Sequence, residues 1–584
     1  MEGFKMRYAR IFTGVCVMLF LSSSVFAAVF TVTKTADTND GLCDADCSLR
    51  EAVAAANIVD TNDTLYFSLG VFGSPQTITL SGTEIVIAAN GSLTIIGTGA
   101  NRLTISGNNA SRIFSVSDNA VVNISYLFFT RGNGAGAANT GRGGAIYNNG
   151  GTTEISKCVF NANSAMLGGA MNNATAGTLT IRDSNITGNQ ATSVGGALQN
   201  FSTSTLHLIN TAINYNTAGT STTGGGAIQG NGTITMTNVT MSANSTQASG
   251  GAIYYNGTGL TMTNTTISNN TAATNAGGVH KSTATNNANI RNSIIAGNTG
   301  GASPDVTNVI NSLGNNIIGT VGTSTGWVAT DLQNTNPLLV PFGNNGGNGL
   351  THALLSGSPA LNGGQNCVIT RNCLTANSPV FVDTDQRGAS RFSDATVDIG
   401  AFEASNSYRA VLPSARLNQI DYGLSIASGY PLGAFTFAVT SGSLPPGMYL
   451  IEASDLAPLS ASIGISGTPT QTGAFNFAIT TTGGMNTSVV NYQLNVLNNL
   501  SFVPVRGRLG TSPFPTLANG FVRLTEINSG NVYTTRTNGF GYYSFTDIPA
   551  GGTYIFSIGG KIQAIVPDSP PETIIDAVDD FVLH

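Results

Sequence analysis

Apolar and polar residues alternate along residues 77–124 in bursts too short for an amphipathic helix. Thr77-Ile78-Thr79-Leu80, Leu93-Thr94-Ile95-Ile96, Leu103-Thr104-Ile105 and Val121-Val122-Asn123-Ile124 each send apolar side chains to one face. That period of two is the signature of a half-buried strand. The rhythm continues at Leu179-Thr180-Ile181, Leu206-His207-Leu208, Ile234-Thr235-Met236 and Leu260-Thr261-Met262. Two further marks run in phase with it. Gly-Gly-Ala recurs at Gly143-Gly144, Gly168-Gly169, Gly195-Gly196, Gly225-Gly226 and Gly250-Gly251, and Gly277-Gly278-Val279 ends the series, with steps of 25, 27, 30, 25 and 27 residues. An apolar residue three positions before an Asn recurs at Phe160/Asn163, Ile186/Asn189, Ile213/Asn216, Met241/Asn244, Ile267/Asn270 and Ile295/Asn298.

Two independent marks with one period define a repeat protein. Three short strands per period predict one coil of a right-handed parallel β-helix, with equivalent residues stacked ~4.8 Å apart. Inward Ile, Leu, Val, Phe and Met then form columns, each full burial worth roughly 1.5–3 kcal/mol. The glycine pair permits positive φ at the turn and close approach of coils. The asparagines are placed to form an amide ladder between coils. A β-propeller blade needs a period of about 40–45 residues, and the Leu-x-x-Leu-x-Leu pattern of a leucine-rich repeat is absent.

Proline marks the boundaries. None occurs between Pro75 and Pro304, and all but Pro75 lie at Pro304 or beyond. Proline cannot donate to a ladder and is excluded from interior strands, so residues 73–303 read as the uninterrupted solenoid. Residues 28–72 read as its N-terminal cap. There a strand at Val29–Thr33 and an acidic turn at Asp37–Asp46 precede Cys47-Ser48-Leu49-Arg50-Glu51-Ala52. Ser48 and Glu51 form a capping box, which predicts a helix from Leu49 to about Asn57.

Composition adds compartment and partners. Charged residues are 9% of the 584, against roughly 25% in an ordinary globular protein. With a net charge of −6 and no basic run, nucleic acid is not an expected partner. Lys5, Arg7 and Arg10, an apolar run from Ile11 to Leu21, and Val25-Phe26-Ala27 read as a secretory signal peptide over residues 1–27. The run is shorter than the ~20 residues of a membrane span, so a secreted or cell-surface protein with no span after signal removal is expected. Export permits disulfides. Cys43 with Cys47 and Cys367 with Cys373 are the near pairs, and Cys158 is left as a small buried hydrophobe.

Several phrases resemble known families. Residues 47–53 resemble the CSLREA-type segment of secreted bacterial β-helix proteins, which implies a helix covering the open first coil. Gly143–Ile146 with Phe160–Asn163 resembles the repeats of chlamydial polymorphic membrane proteins, implying a surface β-helix used in adhesion. Asn336-Pro337-Leu338-Leu339, residues 350–355, Ser358-Pro359-Ala360-Leu361, Asp385-Gln386-Arg387-Gly388 and residues 397–403 resemble in order the choice-of-anchor Q region. Asn362 stands where that region more often carries an acidic residue. This resemblance makes residues 304–405 the last coils and C-terminal cap, stapled by a Cys367–Cys373 bridge. Alternating strands at Phe435–Val439 and Phe475–Ile479 around Leu444-Pro445-Pro446-Gly447 make residues 406–498 similar to the Ig-like domain of bacterial surface proteins. Val505–Leu509, Phe521–Leu524, Thr537–Phe545 and Ile548–Gly551 make residues 499–584 similar to carboxypeptidase regulatory-like, prealbumin-type domains. The fold class is therefore all-β: a pectin-lyase-like solenoid followed by two small β-sandwiches.

Chemistry is sparse. β-Helices of this class include polysaccharide lyases and glycoside hydrolases, whose sites need carboxylates and basic groups. Residues 143–303 hold only Glu154, Lys157, Arg182, Asp183, Lys281 and Arg291 as charged residues, with His207 and His280. Arg182 and Arg291 take equivalent strand positions four coils apart, near 19 Å at ~4.8 Å per coil, too far for joint catalysis. His207 reads as an outward, solvated histidine. No cofactor is expected. A Ca²⁺ site at Asp37, Asn39, Asp44 and Asp46 is weighed against a solvated turn, and the turn is preferred. What remains is a glycan-binding or adhesive surface protein, or a purely structural stalk. Aromatic platforms for sugars are few: Tyr147, Tyr215, Tyr254 and Tyr255. Tyr147 and Tyr254 both follow Ala-Ile, which predicts an exposed, equivalent pair as the glycan contact.

Overall fold

The computed structural model describes residues 27–574, except 59–60, 89–90, 138, 220–222, 284–286, 348, 371, 373–381, 393–394, 405–408, 420–421, 432–433, 456–459, 498–501, 509–520, 527–531, 537–541, 550–553, 559–560 and 567–572. Residues 1–26 of the signal peptide expected at 1–27, with Cys16, and Cys373, the Asn-Gly-Phe-Gly phrase at 538–541, Ala550-Gly551 and the last ten residues therefore lie outside the described residues.

The chain is 46% strand and 4% helix, with a parallel β-solenoid of about 9 turns followed by separate β-sheet regions. The Leu-Thr-Ile phrases stack into an 11-stranded sheet, the apolar-x-x-Asn phrases into another 11-stranded sheet, and the strands after Gly-Gly-Ala into an 8-stranded sheet. Registers are in phase from coil to coil. The inward columns are Ile124-Ile155-Ile181-Leu208-Met236-Met262-Ile290, Phe129-Phe160-Ile186-Ile213-Met241-Ile267-Ile295 and Ile146-Met171-Leu198-Ile228-Ile253-Val279. All belong to one continuous buried core.

The expected three strands per coil become four in the middle of the solenoid. Ser164–Leu167, Gln190–Val194, Thr217–Ala218, Ser245–Thr246 and Thr271–Ala272 form a further 5-stranded sheet just after each ladder asparagine. The ladder itself explains this extra pairing, because it fixes the backbone immediately upstream. From Asn163 through Asn189, Asn216, Asn244 and Asn270 to Asn298, each Nδ2 donates to the next Oδ1 at 2.9–3.0 Å. Each backbone N–H donates to the same oxygen, and each Nδ2 also reaches a carbonyl one coil back, as Asn216 does to Ile186 at 2.9 Å. An amide donates and accepts, so it propagates the ladder; a carboxylate only accepts, so it ends one. Asp305 takes both Asn298 donors through Oδ1 and the Thr320 N–H through Oδ2. Burial raises the Asp305 carboxyl against the pull of those bonds.

Asn216 is fully buried, so Asn216→Ala strands the Asn189 backbone N–H and removes the amide bonds to Asn189 Nδ2 and to the Ile186 and Asn214 carbonyls. At ~1–3 kcal/mol for each unpaired buried group, the variant is expected to lose about 3 kcal/mol. Thermal melting followed by circular dichroism checks this, and an unchanged transition would refute the ladder's role.

The two glycines of each pair act differently. Gly143, Gly168, Gly195, Gly225 and Gly250 have φ between +60° and +85°. A Cβ on Gly144, Gly169, Gly196, Gly226 or Gly251 would lie 2.1–2.5 Å from the carbonyl oxygen of the next coil's glycine. Both expected uses, turning and close approach, are thus met by separate residues.

At the N-terminal end, the helix Leu49–Ala56 carries the full capping box: Glu51 N–H donates to Ser48 Oγ and Ser48 N–H to Glu51 Oε2. Leu49, Ala52 and Val53 enter the solenoid core. The Cys43–Cys47 disulfide closes the acidic turn.

The chain after the last coils departs from expectation. Leu332–Gln333 ends the apolar-x-x-Asn sheet, and Val321 and Trp327 pack on the solenoid core. The described residues of 336–404 then lie along the outer face of that sheet, where a lid over the end was expected. Thr240 Oγ1 donates to Gln386, Asn238 Nδ2 to the Thr384 carbonyl, and Ala401 N–H to Thr266 Oγ1. The cause is in the sheet's outward column, which runs Thr240, Thr266, Ile294, Ile317. Ile294 and Ile317 share a second core with Val340, Ile399, Phe402 and the following sheets. Those sheets are two: one holds Phe435–Gly442, Gly473–Gly483 and Asn486–Leu497, the other Tyr422–Pro431, Ser460–Gly467 and Met448–Asp455. A further pair of sheets runs from Phe502–Arg508 to Thr573–Ile574. Cys367 is disulfide-bonded; its expected partner Cys373 lies outside the described residues. Cys158 is a buried free thiol, pushed up to about 12 by burial and so inert.

Candidate functional site

The residue before each ladder asparagine turns the chain in the left-handed region. Ala162, Gly188, Tyr215, Ala243, Asn269 and Gly297 have φ of 54°, 63°, 54°, 56°, 60° and 73°. Tyr215 is the only one of the six with a large side chain, and Arg131 holds the equivalent turn one coil before Ala162 at φ 52°. A bulky residue held there costs on the order of 1–3 kcal/mol, and such strain concentrates at functional sites. Tyr215 is 40% exposed, so the strain is not compensated by burial in the core.

The Tyr215 ring faces the return segment. Phe342 meets it edge-on at 6.3 Å, and the His352 ring lies 5.2 Å beyond Phe342. Together these residues line a cleft of about 800 Å³ that runs along the turn from Tyr215 past Ala243, Asn269, Gly297 and Thr320 to Asn334, with Asn336, Leu339 and Phe435 also in its lining. His352 is fully buried; its Nδ1 lies 2.8 Å from the Val340 carbonyl and its Nε2 3.0 Å from Ser242 Oγ. Nδ1–H therefore donates to the carbonyl, Nε2 accepts from the hydroxyl, and burial pulls the pKa down to about 4. The ring is a neutral structural brace. Asn269 is exposed, while Asn334 and Asn336 spend their Oδ1 atoms on the N–H groups of Val321 and Leu338. Among the described residues that line the cleft there is no Asp, Glu, Lys or Arg. Such a surface can stack and hydrogen-bond a ligand, and it holds no carboxylate pair for hydrolysis.

The two tyrosines singled out from the sequence do occupy one column: Tyr147, Asn172, Gln199, Gln229, Tyr254 and His280 are in register. The expected exposure of Tyr147 is wrong. It is 1% exposed, because the chain before Gly143 folds onto it. Asn139 Nδ2 donates to its hydroxyl at 2.8 Å, the hydroxyl donates to Asn149 Oδ1, and the Arg112 guanidinium lies 4.9 Å from the ring centre. Between the tyrosines, Asn172, Gln199 and Gln229 bond one another in a second, outward amide ladder. Tyr254 is half-buried, tilted against His280 at 5.1 Å.

The acidic groups are committed to structure. Asp37, weighed for Ca²⁺, accepts both arms of Arg50 at 2.8 Å and the N–H and hydroxyl of Ser81. Asp46 pairs with Lys34, and Asn39 and Asp44 each close a local turn two residues on. Glu154 pairs with Arg182 on the outer face. Arg182 and Arg291 share one column four coils apart, as expected. His207 points outward but is half-buried and bonded to Thr235 Oγ1 at 2.6 Å.

Sequence reasoning named Tyr215 among the coil aromatics without choosing it. The signal was available: it precedes a ladder asparagine where other coils have Ala, Gly or Asn. The opposite wall comes from residues over a hundred positions away, which no periodicity could assign.

No family model matches this chain, and no curated protein matches it. Among solved structures, an Acinetobacter phage tailspike protein aligns over 85% of this chain and 84% of its own, at 11% identity and a TM-score of 0.25. An endo-fucoidan hydrolase from glycoside hydrolase family 107 aligns over 30% of this chain and 28% of its own, at 16% identity and a TM-score of 0.13. The major pilin subunit of Bacillus cereus aligns over 28% of this chain and 67% of its own, at 10% identity and a TM-score of 0.13. The chain thus spans under a third of the fucoidan hydrolase's length. Likeness at these scores says nothing about activity, and the β-helical architecture rests on the strand pairings of this chain itself.

Proposed function

We propose that this is an exported, cell-surface or secreted β-helical protein that binds glycan without cleaving it, in the cleft beside Tyr215. The observation that carries the reading is Tyr215 itself: a part-exposed aromatic held at positive φ in the turn before a ladder asparagine, aimed into a cleft lined by amides. Aromatic faces with convergent polar groups are the usual makings of a small-molecule or saccharide site. The leader at 1–27 and the Cys43–Cys47 disulfide support export to an oxidising compartment. Domain assignments follow the same reading: cap at 28–72, solenoid at 73–303, last coils and return segment at 304–405, and β-sandwiches at 406–498 and 499–584.

The test separates binding from folding. Tyr215→Gly relieves the left-handed strain, so its melting temperature should hold or rise slightly. Retention of the purified protein on immobilised cell-surface polysaccharides should fall at least ~10-fold, as for truncation of an aromatic anchor. Tyr254→Ala, on another sheet, should leave retention intact. Retention that survives Tyr215→Gly and is lost with Tyr254→Ala would move the site to the column above; no retention by any variant would leave a structural rod.

A further inference from the structure

Resting on the glycan-binding reading, one step further concerns which sugars fit. We infer that the cleft accepts uncharged sugar residues, neutral hexoses or N-acetylhexosamines, and discriminates against uronate and sulfated sugars. The polar groups facing it are amides and hydroxyls, chiefly Asn269, Asn334, Asn336 and Thr320. Amides both donate and accept, as sugar hydroxyls do, so a neutral ring can exchange its water for protein partners with little loss. A carboxylate or sulfate would give up hydration with no cation among the described lining residues to receive it, a penalty that amides do not repay. The one imidazole in the wall, His352, does not supply the charge: it is buried, its Nδ1 braced on the Val340 carbonyl and its Nε2 on Ser242, and burial disfavours its cation.

The shape of the wall agrees. Tyr215 and Phe342 offer apolar surface beside the amides of neighbouring rungs. A hexose has the matching division, a C–H face and an equatorial rim of hydroxyls. Successive rungs repeat at ~4.8 Å, about the length of one sugar unit, so a linear chain can lie across several rungs.

The experiment is titration calorimetry of the purified mature protein with length-matched oligosaccharides. One panel is neutral (gluco-, manno- and chito-oligosaccharides); the other is acidic (oligogalacturonates and sulfated galactans). At least one neutral member should bind, with affinity unchanged from about 50 to about 500 mM salt and reduced at least ~10-fold by Tyr215→Ala. Acidic members should bind at least ~10-fold more weakly, and Asn269→Lys should raise their affinity. Tightest binding by an acidic member, salt-sensitive and lost in Tyr215→Ala, would overturn the inference while keeping the cleft as a glycan site. No binding by either panel would overturn both.

Discussion

Arg391→Met is expected to cost about 3–5 kcal/mol, the usual penalty for removing one partner of a buried ion pair. Arg391 and Glu403 are both 0% exposed, with Nη1 2.8 Å from Oε2. The same guanidinium donates to Asn238 Oδ1 on the solenoid and to the carbonyls of Asp398 and Gly400. Around it, Asp385 accepts from Arg387 and from the N–H groups of Ala389 and Glu403, and Asp398 accepts from Asn362 and Ala404. This cluster clamps the return segment to the solenoid, so its loss should release that segment before the coils melt. Limited proteolysis should show new cleavage near residues 382–404, alongside a lower denaturation midpoint. The double change Arg391→Met with Glu403→Leu should recover most of the stability, because no unpaired charge is left buried. A single variant as stable and as protease-resistant as the parent would sink the clamp.

The Glu403 carboxyl is raised chiefly by burial, with Asp398 and Asp385 adding to it and Arg391 opposing. A carboxyl that titrates higher folded than unfolded keeps its proton longer in the folded state. Its stabilising contribution is therefore present at low pH and lost as pH rises above the ordinary glutamate range. Glu403→Gln should flatten that decline while costing far less than Arg391→Met.

The solenoid was legible because its information is local and repeated. Asn163 to Asn298 and the glycine pairs hold one period, and each register pair joins residues about one period apart. The capping box at Ser48 and Glu51 was legible for the same reason. The return segment was not, since its partners are distant: Gln386 meets Thr240, and Gly400 lies against Ile294. One trace was present, for outward Thr240 and Thr266 give way to Ile294 and Ile317. Adjacent isoleucines at Ile294-Ile295 and Ile317-Ile318 mean a strand buried on both faces, hence something packed outside it. The cleft inherits this difficulty, because one wall is solenoid and the other is the returning chain. Tyr147 shows the converse error: its column was right, but a neighbouring loop decides exposure, and loops carry no period.

The glycine pairs provide the sharpest test of the coil geometry. In Gly196→Ala the new Cβ would stand 2.1 Å from the Gly226 carbonyl oxygen and 2.6–2.7 Å from Thr217 backbone atoms. None of these is the end of a flexible side chain, so the coils would have to separate. Separation breaks the neighbouring bonds, including Gly196 N–H to the Gly225 carbonyl at 3.2 Å, and the amide ladder alongside. A loss of about 4 kcal/mol or more, or failure to fold, is expected, at the extreme of what single substitutions do. Gly188→Ala is the matched control. Its φ is +63°, but its nearest contact is Asn161 Nδ2 at 3.4 Å, and Ala162 and Ala243 already occupy the same turn in other coils. The conformational penalty alone, roughly 1–2 kcal/mol, should apply. Urea denaturation followed by circular dichroism measures both. Equal costs would mean that the second glycine serves only backbone freedom; a large gap means that contact between adjacent coils, set by the missing side chain, holds the rod together.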